Sequence, residues 1–221
     1  MRHRFFSARE LAAGDAVTLD TDERHHARVV RVREGEEVEV FDGRGTGFFG
    51  VYEGDAVRLT HAAPDREARD EIHLAMAIIQ LDKFELVLQK ATELGVRSII
   101  PMVTERVELR PERYRGKLDR WKKIVFEAVK QSGRTRIPEV EEPTAFDDVI
   151  KRDGTKILYD ADTQPLTTDN RQPTTLLIGP EGGFSEEEIA AAQRAGCAFA
   201  QLGPRRLRAE TAAIVAVARS I

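Results

Sequence analysis

The sequence predicts an α/β fold with a parallel sheet, preceded by a small β-rich domain. Short strands at regular spacing occupy residues 1–70, which is typical of a compact barrel. From residue 71 to residue 221, apolar strands alternate with amphipathic helices, and this alternation is typical of a parallel sheet. We therefore place the domain boundary between residues 70 and 71.

The first domain contains four candidate strands, one candidate helix and a linker. Turn signals at Asp42-Gly43 and at Glu53-Gly54-Asp55 separate neighbouring apolar runs, as expected between paired strands. Charged residues around Pro64 indicate a linker over Ala62–Asp70. The predicted strands are 16–19, 37–41, 47–52 and 56–60, and the predicted helix lies near Asp22–Arg31.

The second domain begins with a nearly continuous apolar run at 72–79, as expected of a buried central strand. The next predicted helix, 83–94, keeps its apolar residues on one face and ends at Gly95. Ser185 and Glu188 form a capping-box pattern, which predicts a helix start at this point. The remaining predicted elements are strands at 98–103, 156–159, 175–178 and 198–202, and helices at 117–132, at 145–151 and from 209.

The charge of the chain is nearly balanced but unevenly distributed. Lys and Arg number 34 against 38 Asp and Glu, giving a net charge of −4, and hydrophobic residues make up 41%. This composition excludes an intrinsically disordered chain and argues against binding of nucleic acid by the whole surface. Local basic patches occur at 2–4, 24–33, 110–120, 134–136 and 205–208.

Several patterns bear on location and on metal chemistry. No run of ~18 apolar residues indicates a membrane span, and no apolar segment follows the N-terminal arginines as in a signal peptide. Cys197 is the single cysteine, so no internal disulfide forms and a reducing cytoplasm is expected. His3, His25 and His26 lack the partner spacing of a metal site, so we expect no metal.

Two glycine–proline turns are the strongest functional signal. Gly179-Pro180-Glu181-Gly182-Gly183 follows one predicted strand, and Gly203-Pro204-Arg205 follows another. The carboxyl ends of strands in an open α/β sheet are where ligands bind, and glycine lets the backbone approach a ligand closely. The pair indicates a site for an adenosine-like cofactor, although tight turns with purely geometric glycines remain an alternative. Neither a Rossmann fingerprint nor a P-loop lysine is present.

Two further polar groupings have both a functional and a structural interpretation. Arg208, Glu210 and Thr211 place a cation, a carboxylate and a hydroxyl at the start of the last helix. Helix capping and dipole interactions explain such residues equally well in isolation. The segment Gln131–Arg134 ends a predicted helix, where it serves either as a cap or as a substrate contact.

The ordered set of motifs resembles the ribosomal RNA small-subunit methyltransferase E family. The resemblance covers essentially the whole chain and rests on segments 83–96, 101–106, 121–134, 178–184 and 202–212. It implies a C-terminal domain of the SPOUT class with a deep trefoil knot, a PUA-like N-terminal β-barrel over residues 1–70, and a homodimer. It also implies methylation of N3 of a uridine in 16S ribosomal RNA, with an assembled small subunit as the expected partner.

Residue by residue, the resemblance implies the following site. S-adenosylmethionine lies between the two turns, with Arg208 and Glu210 where the reacting base arrives. The cofactor-binding residues implied are Tyr159 (or Asp160), Ile178, Gly179, Pro180, Glu181, Gly182, Leu202, Gly203, Pro204, Leu207, Thr211 and Ala212. We expect RNA contacts from Arg2, Arg4, His25, Arg28, Arg31 and Arg134. Two alternatives stay open: a non-catalytic RNA-binding protein, and a SPOUT enzyme that acts on transfer RNA.

Overall fold

The computed structural model describes residues 2–160 and 173–221, which form two compact units. The N-terminal unit comprises Met1–Glu67 together with Val129–Ile137, and the C-terminal unit comprises Ala68–Ala128 with Pro138–Ile221. The division thus falls three residues before the boundary expected from the sequence. The expected division also missed the return of residues 129–137 to the N-terminal unit.

The N-terminal unit contains a five-stranded sheet and one helix. The strand order is β1-β3-β4-β5-β2, with β1 parallel to β3 and the other pairs antiparallel. Phe5, Val38, Val40 and Val57 are fully buried in its core. The elements are β1 (Arg4–Phe6), β2 (Ala16–Thr18), α1 (Thr21–Val29), β3 (Glu37–Phe41), β4 (Gly47–Tyr52) and β5 (Ala56–Ala62).

The C-terminal unit is built on a parallel sheet of seven strands, in the order β12-β10-β11-β6-β7-β8, with β9 also pairing with β7. The parallel α/β prediction is therefore confirmed. The elements are β6 (Ile72–Ala77), α2 (Leu81–Leu94), β7 (Ser98–Val103), α3 (Pro111–Tyr114), α4 (Leu118–Ser132), β8 (Glu139–Val140), β9 (Thr144–Ala145), α5 (Phe146–Ile150), β10 (Thr155–Tyr159), β11 (Thr174–Ile178), α6 (Glu186–Arg194), β12 (Ala198–Ala200) and α7 (Ala209–Ser220).

The burial of the central strands explains why they are so apolar. All five residues of β11 are buried, and so are the last four residues of β6, as expected of central strands in a parallel sheet that is covered on both faces. Cys197 is buried in the same apolar core, as expected, and burial raises the pKa of its thiol. Trp121 is also buried, with its ring 4.9 Å from that of Phe84.

Short elements and element ends account for most differences from the sequence prediction. Strands β1, β8 and β9 and helix α3 have two to four residues, too few for a periodic pattern to appear. Strand β6 ends at Ala77 and β12 at Ala200, each two residues before the apolar run ends. In the described part of the chain, no helix is long and apolar enough to cross a membrane.

Candidate functional site

A cavity of about 600 Å³ opens at the carboxyl ends of three neighbouring strands. Tyr159 at the end of β10 is in register with Ile178 at the end of β11 and with Ala200 at the end of β12. Because these ends lie side by side, the segments that follow them meet around one space. The lining residues are Arg106, Tyr159, Asp160, Ile178, Gly179, Pro180, Glu181, Gly182, Gly183, Phe184, Ile189, Gln201, Leu202, Gly203, Arg205, Arg206, Leu207, Arg208, Ala209 and Ala212.

The first glycine–proline turn forms one wall of this cavity. The Gly183 amide donates to the Pro180 carbonyl at 2.9 Å, which closes the turn. At Gly179, a Cβ atom would lie 3.1 Å from the Phe184 ring, so only glycine fits without displacing that ring. The predicted capping box is present between Ser185 and Glu188 at the start of α6.

Polar contacts from two other segments hold this turn in place. The Arg106 Nη1 donates to the Gly182 carbonyl at 2.8 Å, and the Lys83 Nζ pairs with Glu181 at 3.1 Å. The Glu105 amide donates to Glu188 Oε1 at 2.9 Å. Arg106 was not among the predicted site residues, although its position just beyond the carboxyl end of β7 was an available signal.

The second turn and the end of β10 form the opposite side. Gly203 has φ of +132°, a conformation that residues with a side chain rarely adopt. The Asp160 amide donates to the Ala200 carbonyl at 3.1 Å, which joins the ends of β10 and β12. Burial raises the pKa of Tyr159, so this residue contributes a neutral phenol to the cavity wall at neutral pH.

Helix α7 begins at the cavity with an exposed cation and a buried carboxylate. Arg208 is the N-cap residue, lines the cavity and makes no side-chain capping bond. Glu210, two residues further along, is only 9% exposed, and its Oε2 has no hydrogen-bond partner in the described structure. Since a buried carboxylate oxygen without a partner is costly, Glu210 is a candidate for a role beyond folding.

Ten of the twelve residues expected to bind a cofactor line this one cavity. Pro204 and Thr211 do not line it, and neither does the expected catalytic residue Glu210, although its neighbour Ala209 does. The cavity also includes Gly183, Phe184, Ile189, Gln201, Arg205 and Arg206, which the expected cofactor set omitted. Among the described residues, no cluster of His, Cys, Asp and Glu is arranged to hold a metal ion.

Comparison with known proteins identifies the family of this chain. An RNA methyltransferase domain model matches residues 66–220, and an RNA methyltransferase PUA domain model matches residues 19–60. Ribosomal RNA small subunit methyltransferase E from Synechocystis is 32% identical, covering 99% of this chain and 77% of the relative. The chain belongs to this family. Ribosomal RNA small subunit methyltransferase E from Aquifex aeolicus is 29% identical, and the similarity covers 96% of each chain.

Solved structures of relatives extend the similarity to the fold. Ribosomal RNA small subunit methyltransferase E from Neisseria gonorrhoeae, bound to S-adenosyl methionine, superposes with a TM-score of 0.89 at 32% identity, covering 99% of this chain and 96% of that one. A methyltransferase from Legionella pneumophila in complex with the same cofactor gives 0.84 at 32% identity, with 100% and 97% covered. The family expected from the motifs is thus confirmed.

Two of the six arginine and histidine residues expected to contact RNA are buried in this family member. Arg4 is 9% exposed and donates to the carbonyls of Val129 (2.8 Å), Lys130 (3.0 Å) and Arg134 (2.8 Å). Its Nη2 also donates to Glu39 at 3.2 Å. We therefore correct the assignment of Arg4 as an RNA contact: its hydrogen bonds hold residues 129–134 in place within the N-terminal unit.

Arg134 has a structural role in the same unit. It is 3% exposed and its guanidinium pairs with Glu67 at 2.7 Å. Burial alone would raise the pKa of Glu67, but the ion pair and the amides of Thr135 and Arg136 outweigh it and lower the pKa. The stability from this pair is therefore present above the ordinary carboxyl range and is lost as pH falls through the lowered pKa.

The other expected RNA contacts lie on the surface of the N-terminal unit. His25, Arg28 and Arg31 are exposed on and just after α1, beside Val29, which is 63% exposed. Arg2 pairs with Glu37 at 2.9 Å and is half exposed. These four side chains are accessible to a polyanion, so they stay predicted RNA contacts.

The end of α1 gives a stability prediction. Arg31 has φ of +59° just past the helix, where the Val32 amide donates to the Ala27 carbonyl, and glycine occupies the equivalent position after α2. Because a side chain is unfavourable there, Arg31→Gly is expected to stabilise the protein by about 0.5–1 kcal/mol in urea unfolding. RNA affinity is expected to fall. Arg31→Lys is the control, and a loss of stability in Arg31→Gly would contradict the prediction.

Proposed function

We propose that this protein transfers a methyl group from S-adenosylmethionine to N3 of a uridine in 16S ribosomal RNA. The cofactor is S-adenosylmethionine, as in the two solved relatives. One observation carries the proposal: two glycine–proline turns and the start of α7 enclose a single cavity at the carboxyl ends of β10, β11 and β12. A non-catalytic RNA-binding protein has no need of such a cavity.

The residues present fit the cofactor. Ligand pockets in proteins span ~300–1,000 Å³, and this cavity of about 600 Å³ lies within that range. Residues 179–183, 202 and 203 line it, and the glycines among them let main-chain groups come close to a ligand. Tyr159, Ile178 and Leu207 supply apolar surface. When bound, S-adenosylmethionine supplies a methyl group on a positively charged sulfur.

The reaction at uridine N3 requires the protein to manage one proton. Neutral uridine holds that proton on N3, so formation of the new carbon–nitrogen bond requires its departure while the carbon–sulfur bond breaks. An arginine beside the base stabilises the negative charge that develops there, and a carboxylate accepts the proton or orients the arginine. Arg208 lines the cavity and Glu210 is a buried carboxylate two residues away, so we assign these roles to them.

The proposal includes the setting in which the enzyme works. We propose a homodimer whose C-terminal unit carries a trefoil knot and whose N-terminal unit closes into a PUA-like barrel. The match of residues 19–60 to a PUA domain model supports the proposed PUA-like N-terminal barrel. We propose that the enzyme acts in the cytoplasm on an assembled small subunit, with Arg2, His25, Arg28 and Arg31 contacting the RNA.

The position of the methyl group tests this function directly. A methyl on N3 blocks the Watson–Crick edge of uridine, so reverse transcription stops there, whereas a methyl on C5 or on the ribose leaves pairing possible. Purified small subunits from a strain lacking the gene should acquire one new stop after incubation with the protein and S-adenosylmethionine. Mass analysis should identify methyluridine at that position. Methyl incorporation without a stop would contradict the N3 assignment. Incorporation into transfer RNA in a parallel reaction, in place of the small subunits, would contradict the assignment of 16S ribosomal RNA as the substrate.

A further inference from the structure

Three arginines follow the second glycine–proline turn and lie at the rim of the cavity. Arg205, Arg206 and Arg208 are exposed, and all three line the cavity. In residues 2–160 and 173–221, no acidic side chain forms an ion pair with any of them. This loop is therefore a concentration of available positive charge in a chain whose net charge is −4.

Arg106, Asp160 and Glu181 are the other charged residues that line the cavity. Arg106 donates to the Gly182 carbonyl and so helps to hold the first turn. Glu181 pairs with Lys83, which reduces its capacity to neutralise the arginines of the opposite loop. Among the described cations that line the cavity, those with neither an ion-pair nor a hydrogen-bond partner therefore all lie in the loop between β12 and α7.

The chemistry of the cofactor does not account for three such cations. The amino-acid end of S-adenosylmethionine carries one carboxylate and one ammonium group, and its sulfur is positive. A single arginine suffices for the carboxylate. A nucleotide whose base enters the cavity, by contrast, necessarily brings the phosphates on its two sides to the rim.

We propose that Arg205 and Arg206 bind the two RNA phosphates that flank the target nucleotide, while Arg208 acts on the base itself. This inference rests on the proposed function and identifies how the same site holds its substrate. Guanidinium groups bind phosphate oxygens in a bidentate manner, and phosphate contacts set the position of a nucleic acid without reading its sequence. Such contacts offset the cost of unstacking a base and drawing it into a pocket.

Salt dependence of RNA binding tests the proposal. The probe is an unmethylated RNA fragment that contains the target uridine, and S-adenosylhomocysteine is present throughout. Binding is followed by fluorescence anisotropy over a range of KCl concentrations. In the double variant Arg205→Gln/Arg206→Gln, affinity is expected to fall by at least roughly tenfold. The slope of log K against log salt should become shallower by about 1.4, because two phosphate contacts are lost. The affinity for S-adenosylhomocysteine should stay unchanged.

Arg194→Gln is the matched control, since Arg194 is an exposed arginine of the C-terminal unit that does not line the cavity. It should leave the slope unchanged. An unchanged slope in the double variant would overturn the proposal. So would weaker S-adenosylhomocysteine binding, which would assign the arginines to the cofactor, or a change in sedimentation, which would assign them to an interface between copies.

A chemical change in the RNA identifies the phosphates. Uncharged methylphosphonates at the two positions beside the mapped nucleotide should weaken binding to the wild-type protein about as much as the double substitution does. They should have little further effect on the double variant, because the contacts are already absent. Equal, additive losses would overturn the proposal. This binding experiment depends on which nucleotide is methylated and not on which atom of that nucleotide carries the methyl group. Its failure is therefore distinguishable from failure of the N3 assignment.

Discussion

Replacing Arg208 with glutamine is expected to lower kcat by about 100- to 1,000-fold while leaving the affinity for S-adenosylhomocysteine unchanged. Arg208 lines the cavity as the N-cap residue of α7 and has no capping bond to lose. A cation that stabilises charge only as the uridine loses its proton contributes to the transition state and not to cofactor binding. Single-turnover methylation and calorimetry measure the two quantities separately.

The pH profile of the Arg208→Gln variant adds a second readout. Without the cation, the reaction depends more on uridine that has already lost its N3 proton, so the rate should rise more steeply with pH than in the wild type. Arg208→Lys retains the charge and should recover part of the rate. A parallel loss of rate and S-adenosylhomocysteine affinity would contradict this role and place Arg208 in the cofactor site.

Replacing Arg4 with methionine is expected to destabilise the protein by about 3–5 kcal/mol. The side chain of Arg4 is 9% exposed, and its loss leaves the carbonyls of Val129, Lys130 and Arg134 without these donors. Methionine fills similar volume but donates no hydrogen bond, so the buried polar groups remain and their partner is lost. Urea unfolding monitored by circular dichroism measures the change.

Arg2→Met is the matched control for this change. Arg2 lies two residues before Arg4 and also pairs with a glutamate, Glu37, but its side chain is 53% exposed. An exposed ion pair of this kind contributes about 0–1 kcal/mol, so the control should unfold nearly as the wild type does. Similar losses from both substitutions would show that burial of the Arg4 network contributes nothing particular to stability.

Local sequence patterns predicted much of the fold and the site. The apolar run that begins at Ile72 is a buried strand, Ser185 and Glu188 form the capping box, and the two glycine–proline turns line one cavity. These features were predictable because each depends on residues close together in the chain. The parallel sheet then follows from the alternation of strands and helices, since parallel neighbours require a crossover between them.

Only the tertiary structure decided the roles of the arginines. Arg4 and Arg134 belong to basic clusters that resemble RNA contacts in the sequence, yet both are buried in ion-pair networks. The Arg4 side chain meets carbonyls 125 to 130 residues away in the chain, a separation at which no local pattern carries information. Conversely, Arg106 became a site residue only because the end of β7 lies beside the first turn.

The physical reason for this division is the range of the interactions involved. Backbone conformation at Gly203 and helix capping at Ser185 depend on neighbouring residues, and the sequence alone determined them. Whether a guanidinium faces solvent or a carbonyl depends on what the fold packs against it. A charge is costly to bury without partners. The exposed Arg205 and the buried Arg134 therefore look alike in the sequence, and only the packing of the folded chain separates a guanidinium that faces solvent from one with a structural role.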